Sequence, residues 1–162
     1  MNKFVIVPYE AAYKERIIAL ILAIQQNEYQ IPISRADQPD LENVPGVYQQ
    51  NKGGFWIALH EDQVIGTIAL IDIGQGQGAL RKMFVQKEAR GKAVGVAQAL
   101  LDHLHAWAKQ QGLREIYLGT TEKFLAAHRF YEKNQFQQID KVALPSNFPI
   151  MAVDTRFYQL AL

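Results

Sequence analysis

The chain contains no cysteine, and this one absence excludes several classes of site. Disulfide scaffolds, thiolate metal sites and cysteine nucleophiles all require that residue. Histidine does not replace it as a metal ligand, because His103 and His105 stand two apart on a predicted helix and point in different directions. We therefore expect a protein of a reducing compartment that holds no metal ion.

The chain also lacks a strong net charge and a long apolar run. Its 17 Lys and Arg residues nearly balance its 16 Asp and Glu residues, which leaves a net charge of +1. Such a chain has no general attraction for nucleic acid or for an acidic membrane. The longest apolar run, 17–24, is too short to cross a bilayer, and the run before Pro8 is too short for a signal peptide. The expected location is the cytoplasm.

The composition that remains is typical of a folded domain. Apolar residues make up 49% of the 162 residues and charged residues 20%. A chain of this length can bury a sizeable core, and no linker or repeat divides it. The sequence predicts a single domain over residues 1–162.

Hydrophobic periodicity predicts that strands and helices alternate in the central part of the chain. Short runs rich in β-branched and aromatic residues predict strands, and apolar residues spaced three or four apart predict helices. The predicted strands are 4–7, 55–60, 64–73, 79–85, 115–118, 136–142 and 153–160. The predicted helices are 13–28, a short one around 40–48, 94–111 and 122–133. This order indicates an α/β fold, in which a mixed sheet carries helices on both faces.

Two glycine-rich stretches are candidates for a phosphate-binding loop. The stretch GQGQG at 74–78 has part of a dinucleotide-binding spacing, but a strand follows it instead of a helix, which favours a hairpin turn. The stretch RGKAVG at 90–95 lies between a predicted strand and a predicted helix. Free N–H groups and the positive end of the helix dipole would meet there, beside two cations and two glycines. This stretch is the better candidate for a phosphate or diphosphate site.

The residues around this loop resemble the GNAT superfamily of N-acetyltransferases. The family's [Q/R]-x-x-G-x-[G/A] signature is matched by Arg90-Gly91-Lys92-Ala93-Val94-Gly95. A second match, AAHRFYEKNQF at 126–136, resembles the family's A-x-x-F-Y-x-x-x-G-F segment. Three residues depart from the family pattern: Ala93 and Gln135 replace glycines, and Phe124 replaces a common asparagine. Because position 135 lacks the family's helix-ending glycine, either Gln135 or Asn134 would take the left-handed backbone conformation that ends the helix.

The resemblance implies a sheet of about seven strands that is splayed between strands 79–85 and 115–118. Acetyl-CoA, as co-substrate, would lie in the splay, with its diphosphate on the amides of residues 91–96 and its pantetheine arm paired like an added strand with Met83 and Val85. The implied CoA-contacting residues are Met83, Phe84, Val85, Arg90, Gly91, Lys92, Ala93, Val94, Gly95, Val96, Phe124 and Tyr131.

The resemblance also implies roles in acetyl transfer. The Val85 amide would polarise the thioester carbonyl, and Tyr131 would act as general acid, although a core aromatic residue is the alternative for that position. Glu28 and Asp72 are the candidate bases, either directly or through water, although a solvated surface carboxylate is the alternative for both. His128 is expected to be structural, with a proton relay as the alternative.

The acceptor is expected between residues 25–51 and the C-terminal strands. Four acids in that segment favour a cationic acceptor such as a small amine or a lysine-like group, and four aromatic residues are candidates for lining its pocket: Tyr29, Phe148, Phe157 and Tyr158. The segment 144–158 is expected to form a lid-like loop and an edge strand, or a dimer contact.

The sequence thus predicts an N-acetyltransferase for a small-molecule or peptide amine. The alternatives are an acyl-CoA-binding sensor or subunit without turnover and a nucleotide-binding protein. A homodimer is left open.

Overall fold

One seven-stranded sheet runs through the computed structural model, which describes residues 3–91 and 94–162. The sheet order is β1-β2-β3-β4-β5-β7-β6. Its strands are β1 Val5–Pro8, β2 Gly54–His60, β3 Gln63–Gly74, β4 Gln77–Val85, β5 Glu115–Thr120, β6 Gln137–Ile139 and β7 Arg156–Ala161. The α-helices are α1 Lys14–Leu22, α2 Val44–Val47, α3 Val96–Gln110 and α4 Leu125–Lys133. The predicted α/β fold with a mixed sheet is confirmed.

The sheet divides between β4 and β5. Strands β1 to β4 form an antiparallel meander, and β5, β7 and β6 form a second antiparallel group. The two groups meet through a parallel pairing that covers only Gln77–Ala79 of β4 and Glu115–Tyr117 of β5. Beyond Ala79 the two strands part, so the predicted splay is present at the predicted strands.

A β-bulge lies in β4 just after the strands part. The β3–β4 register shifts between Thr67 and Ala69, and Lys82 has a positive φ of 53°. The Thr67 hydroxyl donates a hydrogen bond of 2.6 Å to the Lys82 carbonyl and satisfies a group that the bulge takes out of the ladder. A bulge bends its strand and redirects side chains. This bulge lies in the part of β4 that no longer pairs with β5.

Two hydrophobic layers cover the meander. Helix α3 buries Leu100, Leu104 and Ala108 in a cluster with Trp56 and Ile68 of the sheet. On the other side, α1 and the segment after it pack in a second cluster, whose fully buried members include Ile17, Ile21, Tyr48, Phe55 and Ile57. The 3.6-residue spacing of the apolar positions in both helices accounts for these faces.

Several boundaries differ from the predicted ones. The predicted helix 13–28 is α-helical only to Leu22 and continues as a π-helical segment, Ala23–Glu28, which puts the buried Gln25 beside Gln38. The predicted helix around 40–48 is a 3₁₀ turn, Pro39–Glu42, followed by α2. Helix α3 begins at Val96 because Gly95 has a left-handed backbone with φ 76°.

The C-terminal elements are shorter than predicted and differently arranged. Strand β6 covers only Gln137–Ile139 and is the sheet edge, while β7 lies between β5 and β6, so the expectation of an edge strand within 144–158 is wrong. Helix α4 begins at Leu125, because Phe124 has a non-helical backbone. Gln135, and not Asn134, takes the left-handed conformation, with φ 75°, which costs on the order of 1 kcal/mol.

The glycine-rich stretch 74–78 forms the hairpin turn between β3 and β4, as predicted. Gly74, Gln75 and Gly76 all have positive φ. At Gly76 an added Cβ would lie 2.8 Å from the Nε atom of Arg114, a flexible side chain that could shift, so the positive φ of 73° is the main reason for glycine there. In the described ranges, 3–91 and 94–162, no helix is both long and apolar enough to span a bilayer.

Candidate active site

The splay opens a cleft of about 610 Å³ between β4 and β5. Its walls come from β4, the loop before α3, the end of β5, α4, the 24–33 segment and the turn before β7. The residues that line it include Leu80, Arg81, Lys82, Met83, Phe84, Val85, Arg90, Gly91, Gly95, Gln98, Gly119, Thr120, Phe124, Tyr131 and Asp154. Concave sites of this size with mostly apolar walls and a few polar groups are typical of small-molecule binding.

Many of the residues predicted to contact CoA lie on these walls. Met83, Phe84 and Val85 line the cleft along the part of β4 that pairs with no residue of β5. Phe124 lines it from the α4 side, where its ring makes an edge contact with Tyr29 at 4.7 Å and with Phe84 at 6.3 Å. These three rings connect the two sides of the splay. Lys92 and Ala93 lie outside the described residues.

The start of α3 offers backbone donors to the cleft. Gly95 precedes the helix and no side chain caps it. The amides of Val94 and Gly95 both donate to the Gly91 carbonyl, at 3.3 and 3.0 Å. Within the described part of the chain, the amides of Val96, Ala97 and Gln98 have no acceptor, as expected for a first helical turn. Among the described residues, the amides of 96–98 are therefore available to an anion. The predicted range 91–96 also includes the amides of Lys92 and Ala93, which lie outside the described residues, so it stays a prediction.

Gly91 leaves open space at the same place. Its φ is 104°, which a side chain rarely adopts, and an added Cβ would meet no described atom within 4 Å. The glycine is therefore required by its backbone and not by crowding. The space above it is available for a ligand that approaches the α3 amides.

Arg90 lines the cleft, but its charge is already compensated. Its guanidinium forms a bidentate ion pair with Glu28, in which Nη2 lies 2.7 Å from Oε1, and its Nε donates to the Val85 carbonyl at 2.9 Å. The guanidinium also lies 5.9 Å from the centre of the Tyr29 ring. Arg90 thus fixes the end of the first helical segment to the end of β4, instead of presenting a free cation to a phosphate.

This ion pair predicts a pH-dependent contribution to stability. The hydrogen bond to Arg90 holds the pKa of Glu28 below its ordinary value of 4.5, so the stabilisation is full above that pH and is lost as the pH falls through the lower folded-state value. Glu28→Gln should lower the free energy of unfolding at pH 7 by about 1 kcal/mol, with a smaller difference at pH 3. Urea unfolding at both pH values measures this, and a double-mutant cycle with Arg90→Met isolates the pair. An equal loss at both pH values would contradict the assignment.

The two carboxylates predicted as bases do not line the cleft. Glu28 is held by Arg90, and a lowered pKa makes it a weaker base. Asp72 accepts hydrogen bonds from the amides of Lys52, at 3.2 Å, and Gly74, at 2.9 Å, beside the hairpin turn. That turn is at the end of the sheet where β4 and β5 are still paired. Neither position supports a direct contact with a reacting amine.

Tyr131 lies on the cleft wall within the main hydrophobic cluster. Its side chain is 4% exposed, and its ring contacts Phe130 at 5.8 Å and Phe136 at 5.5 Å. Burial raises the pKa of its phenol above the ordinary value, so the hydroxyl keeps its proton throughout the neutral range. Tyr131 is therefore both a core aromatic residue and a proton-bearing group at the cleft.

Lys82 is a cleft residue that the sequence analysis missed. Its side chain is buried, and its Nζ atom lies 2.6 Å from Gln38 Oε1 and 3.4 Å from Asp40 Oδ2. Gln38 also pairs with Gln25 through their amides, and Tyr48 donates to Asp40 at 2.6 Å. Burial lowers the pKa of Lys82 to about 8. The positively charged form is nevertheless compensated by Asp40.

Asp154 is a second cleft residue that the sequence did not predict. It stands in a turn before β7, in which its Oδ2 accepts from the Met151 amide at 3.0 Å. The carboxylate lies directly against Gly119 of β5, because a Cβ added there would be 2.6 Å from Asp154 Oδ2. Burial raises the pKa of Asp154 above its ordinary value, although Arg81 and Lys82 oppose the shift. A carboxylate thus faces the cleft at the point where β5 leaves β4.

The acids of the 25–51 segment do not form an open acidic wall. Arg35 binds Glu15 and Glu42 at 2.8 and 2.5 Å, and these ion pairs raise the pKa of its guanidinium. Asp40 is engaged by Lys82 and Tyr48, and Asp37 by Ser34. These internal contacts remove the basis for predicting a cationic acceptor from this segment.

Of the aromatic residues predicted around the acceptor, only Tyr29 lines the cleft. Phe148 and Phe157 pack together in a small separate cluster, and Tyr158 is buried in the main core. His128 is buried as well; its Nε2 lies 2.9 Å from the Thr121 carbonyl, and Nδ1 has no partner among the described residues. It is absent from the cleft wall, so the geometry gives no support to a proton relay through it.

Known proteins resemble this chain in sequence. The model of the acetyltransferase (GNAT) family matches residues 11–136. The N-acetylaspartate synthetase of Xenopus tropicalis is 34% identical over 110 residues, which are 67% of this chain and 39% of that protein. This chain therefore matches about two fifths of that relative's length.

Solved structures share the whole fold. A GNAT-family acetyltransferase from Staphylococcus aureus Mu50 is 42% identical, with a TM-score of 0.95 over 98% of this chain and 99% of that one. The PaiA N-acetyltransferase of Thermoplasma acidophilum, solved in complex with coenzyme A, is 18% identical, with a TM-score of 0.77 over 99% of each chain, which shows a common fold. The family model matches residues 11–136, which is most of the chain. The chain therefore belongs to the GNAT acetyltransferase family.

Proposed function

We propose that this protein transfers the acetyl group of acetyl-CoA to a primary amine of a small molecule or peptide. The observation that carries the proposal is the cleft between β4 and β5, which opens beside the uncapped first turn of α3. One site thus combines an apolar channel, an unpaired strand edge and backbone donors for an anion. The relative named as an N-acetylaspartate synthetase supports the same reaction class.

The residues present fit coenzyme A. The amides of 96–98 and the open space at Gly91 suit a diphosphate. Met83, Phe84 and Val85 offer a strand edge and apolar surface to the pantetheine arm. The PaiA structure, which has the same fold, was solved with coenzyme A. When bound, acetyl-CoA supplies an acyl group activated as a thioester.

The chain's own groups would then act on the acyl carbonyl and the leaving sulfur. The Val85 amide is our candidate for donating a hydrogen bond to the carbonyl oxygen, where negative charge develops. Tyr131 is our candidate for protonating the sulfur as the C–S bond breaks, because its hydroxyl stays protonated at the cleft wall. The hydrophobic cluster around Tyr131 would exclude water, which would otherwise hydrolyse the thioester.

A thiol-release assay tests this function. The purified protein is mixed with acetyl-CoA and a panel of amines, and free coenzyme A is detected with a thiol reagent. We expect at least one amine to raise the release rate by on the order of tenfold or more above the rate without amine. Binding of coenzyme A in calorimetry without any amine-dependent release would contradict catalysis and favour the sensor or subunit alternative.

A further inference from the structure

The charges on the cleft wall are unevenly paired. Near the place where β4 and β5 part, Arg81, Lys82 and Asp154 all line the cleft. Lys82 has its counter-charge in Asp40 at 3.4 Å. In the described part of the chain, the guanidinium of Arg81 has no ion pair and no hydrogen bond, and the carboxylate of Asp154 accepts only from a backbone amide. One cation and one anion are therefore left uncompensated by direct contact.

Both groups are partly removed from solvent, and Asp154 is also held in place. Arg81 belongs to β4, where its Cα partner on β3 is Ala69, and its side chain is partly buried. Asp154 is fixed by a tight turn, in which its amide donates to the Met151 carbonyl at 3.0 Å while its carboxylate rests on Gly119. The next amide, that of Thr155, donates to Thr120 at 2.9 Å and ties the turn to β5. The two charges thus occupy opposite walls of the splay.

Partly buried charges without a direct partner are costly unless a ligand supplies the opposite charges. A guanidinium recognises a carboxylate with two parallel hydrogen bonds, and a carboxylate recognises an ammonium. A free amino acid carries both of those groups on one carbon atom. It therefore matches a site with one cation on one wall and one anion on the other, whereas a simple amine leaves the cation unpaired.

We propose that the acceptor is a free amino acid, whose carboxylate binds Arg81 and whose ammonium group binds Asp154. This inference rests on the proposed acetyl transfer and narrows its substrate class. It replaces the cationic acceptor predicted from the acids of the 25–51 segment, which are engaged in contacts within the protein.

The same position gives Asp154 a role in the reaction. Its carboxylate takes one proton from the ammonium, and the freed lone pair forms the C–N bond as the C–S bond breaks. Tyr131 gives its proton to the leaving sulfur and recovers one from the nitrogen of the new amide. Asp154 then releases its proton to solvent, so that one proton is set free for each acetyl group transferred.

The test compares amino acids with their amides, for example alanine with alaninamide and phenylalanine with phenylalaninamide. The amide keeps the side chain and the amine but lacks the carboxylate. Its ammonium group also loses a proton more easily than that of the amino acid. If the enzyme recognised only the free amine, the amide would therefore be the better substrate. We expect kcat/KM to be higher for the amino acids by on the order of 10- to 100-fold. Arg81→Met should abolish this preference mainly through KM, while Arg81→Lys should retain part of it.

Matched variants separate recognition from folding. Arg129, which is exposed on α4 outside the cleft, provides the control Arg129→Met, which should keep the full preference. Asp154→Asn should lower kcat for amino acids and amides alike by on the order of 100-fold. Calorimetry with coenzyme A confirms that each variant still folds and binds. Equal turnover of acids and amides that Arg81→Met does not change would overturn this inference and leave acetyl transfer standing, whereas no turnover of any amine would overturn both.

Discussion

Gly95→Asp should weaken the binding of coenzyme A by about 100-fold or more, the largest binding effect that we expect from a single substitution. The new carboxylate would stand immediately before the amides of 96–98, where the diphosphate is proposed to bind. Two charges 4 Å apart repel each other by about 4 kcal/mol at the effective dielectric of a protein surface, and salt reduces this value. Isothermal titration calorimetry with coenzyme A measures the change in Kd.

Gly112→Asp is the matched control at the other end of the same helix. Both glycines have positive φ, 76° at Gly95 and 82° at Gly112, and aspartate tolerates that conformation better than most residues. An added aspartate caps a helix N-terminus favourably but opposes the dipole at a C-terminus. The Gly95→Asp variant should therefore have a higher free energy of unfolding than the Gly112→Asp variant. It should nevertheless be the variant that loses affinity for coenzyme A. An equal loss of affinity in both variants would contradict the diphosphate site.

Tyr131→Phe should lower kcat by about 100-fold or more, with the KM for acetyl-CoA changed by less than about twofold. The substitution keeps the ring contacts with Phe130 and Phe136 and removes only the hydroxyl that would protonate the leaving sulfur. Because no hydrogen bond within the described ranges depends on that hydroxyl, the folded state should lose little stability. Steady-state kinetics with saturating amine provides the measurement.

Tyr117→Phe supplies the comparison for a hydroxyl outside the cleft. Tyr117 is a buried residue of β5 whose hydroxyl accepts a hydrogen bond from Gln159 at 3.2 Å, and it does not line the cleft. This variant should turn over like the unaltered protein. If Tyr131→Phe also kept full turnover, Tyr131 would be a packing residue only.

The sequence was informative wherever local patterns decide the structure. Apolar spacing in 94–111 predicted α3 to within two residues at its start and one at its end, and the order of strands and helices led to the correct mixed sheet. The RGKAVG stretch pointed to the start of that helix because glycines and the helix dipole act over a few residues. The splay followed from resemblance to a family and not from periodicity.

The charged residues of the cleft were missed because distant contacts place them. Strand alternation would put only one of Arg81 and Lys82 on the cleft side of β4. The bulge at Lys82 interrupts this alternation, and both side chains line the cleft. The charge of Lys82, and not that of Arg81, is compensated because Gln38 and Asp40 contact its Nζ atom. These two residues precede β4 by about forty positions, so local sequence does not reveal the contact. Asp154 lies in a turn with no regular pattern. Glu28 was predicted as a base because its partner Arg90, 62 residues away, could not be known.

The binding of the diphosphate at the start of α3 is the central claim, and amide chemical shifts test it most directly. Isotope-labelled protein is titrated with coenzyme A and, separately, with pantetheine, which lacks the diphosphate. We predict that coenzyme A shifts the amide signals of Val96, Ala97 and Gln98 together with those of Met83 and Val85, while pantetheine shifts only the latter pair. A titration in which coenzyme A saturates the protein and leaves the signals of 96–98 unchanged would contradict the account.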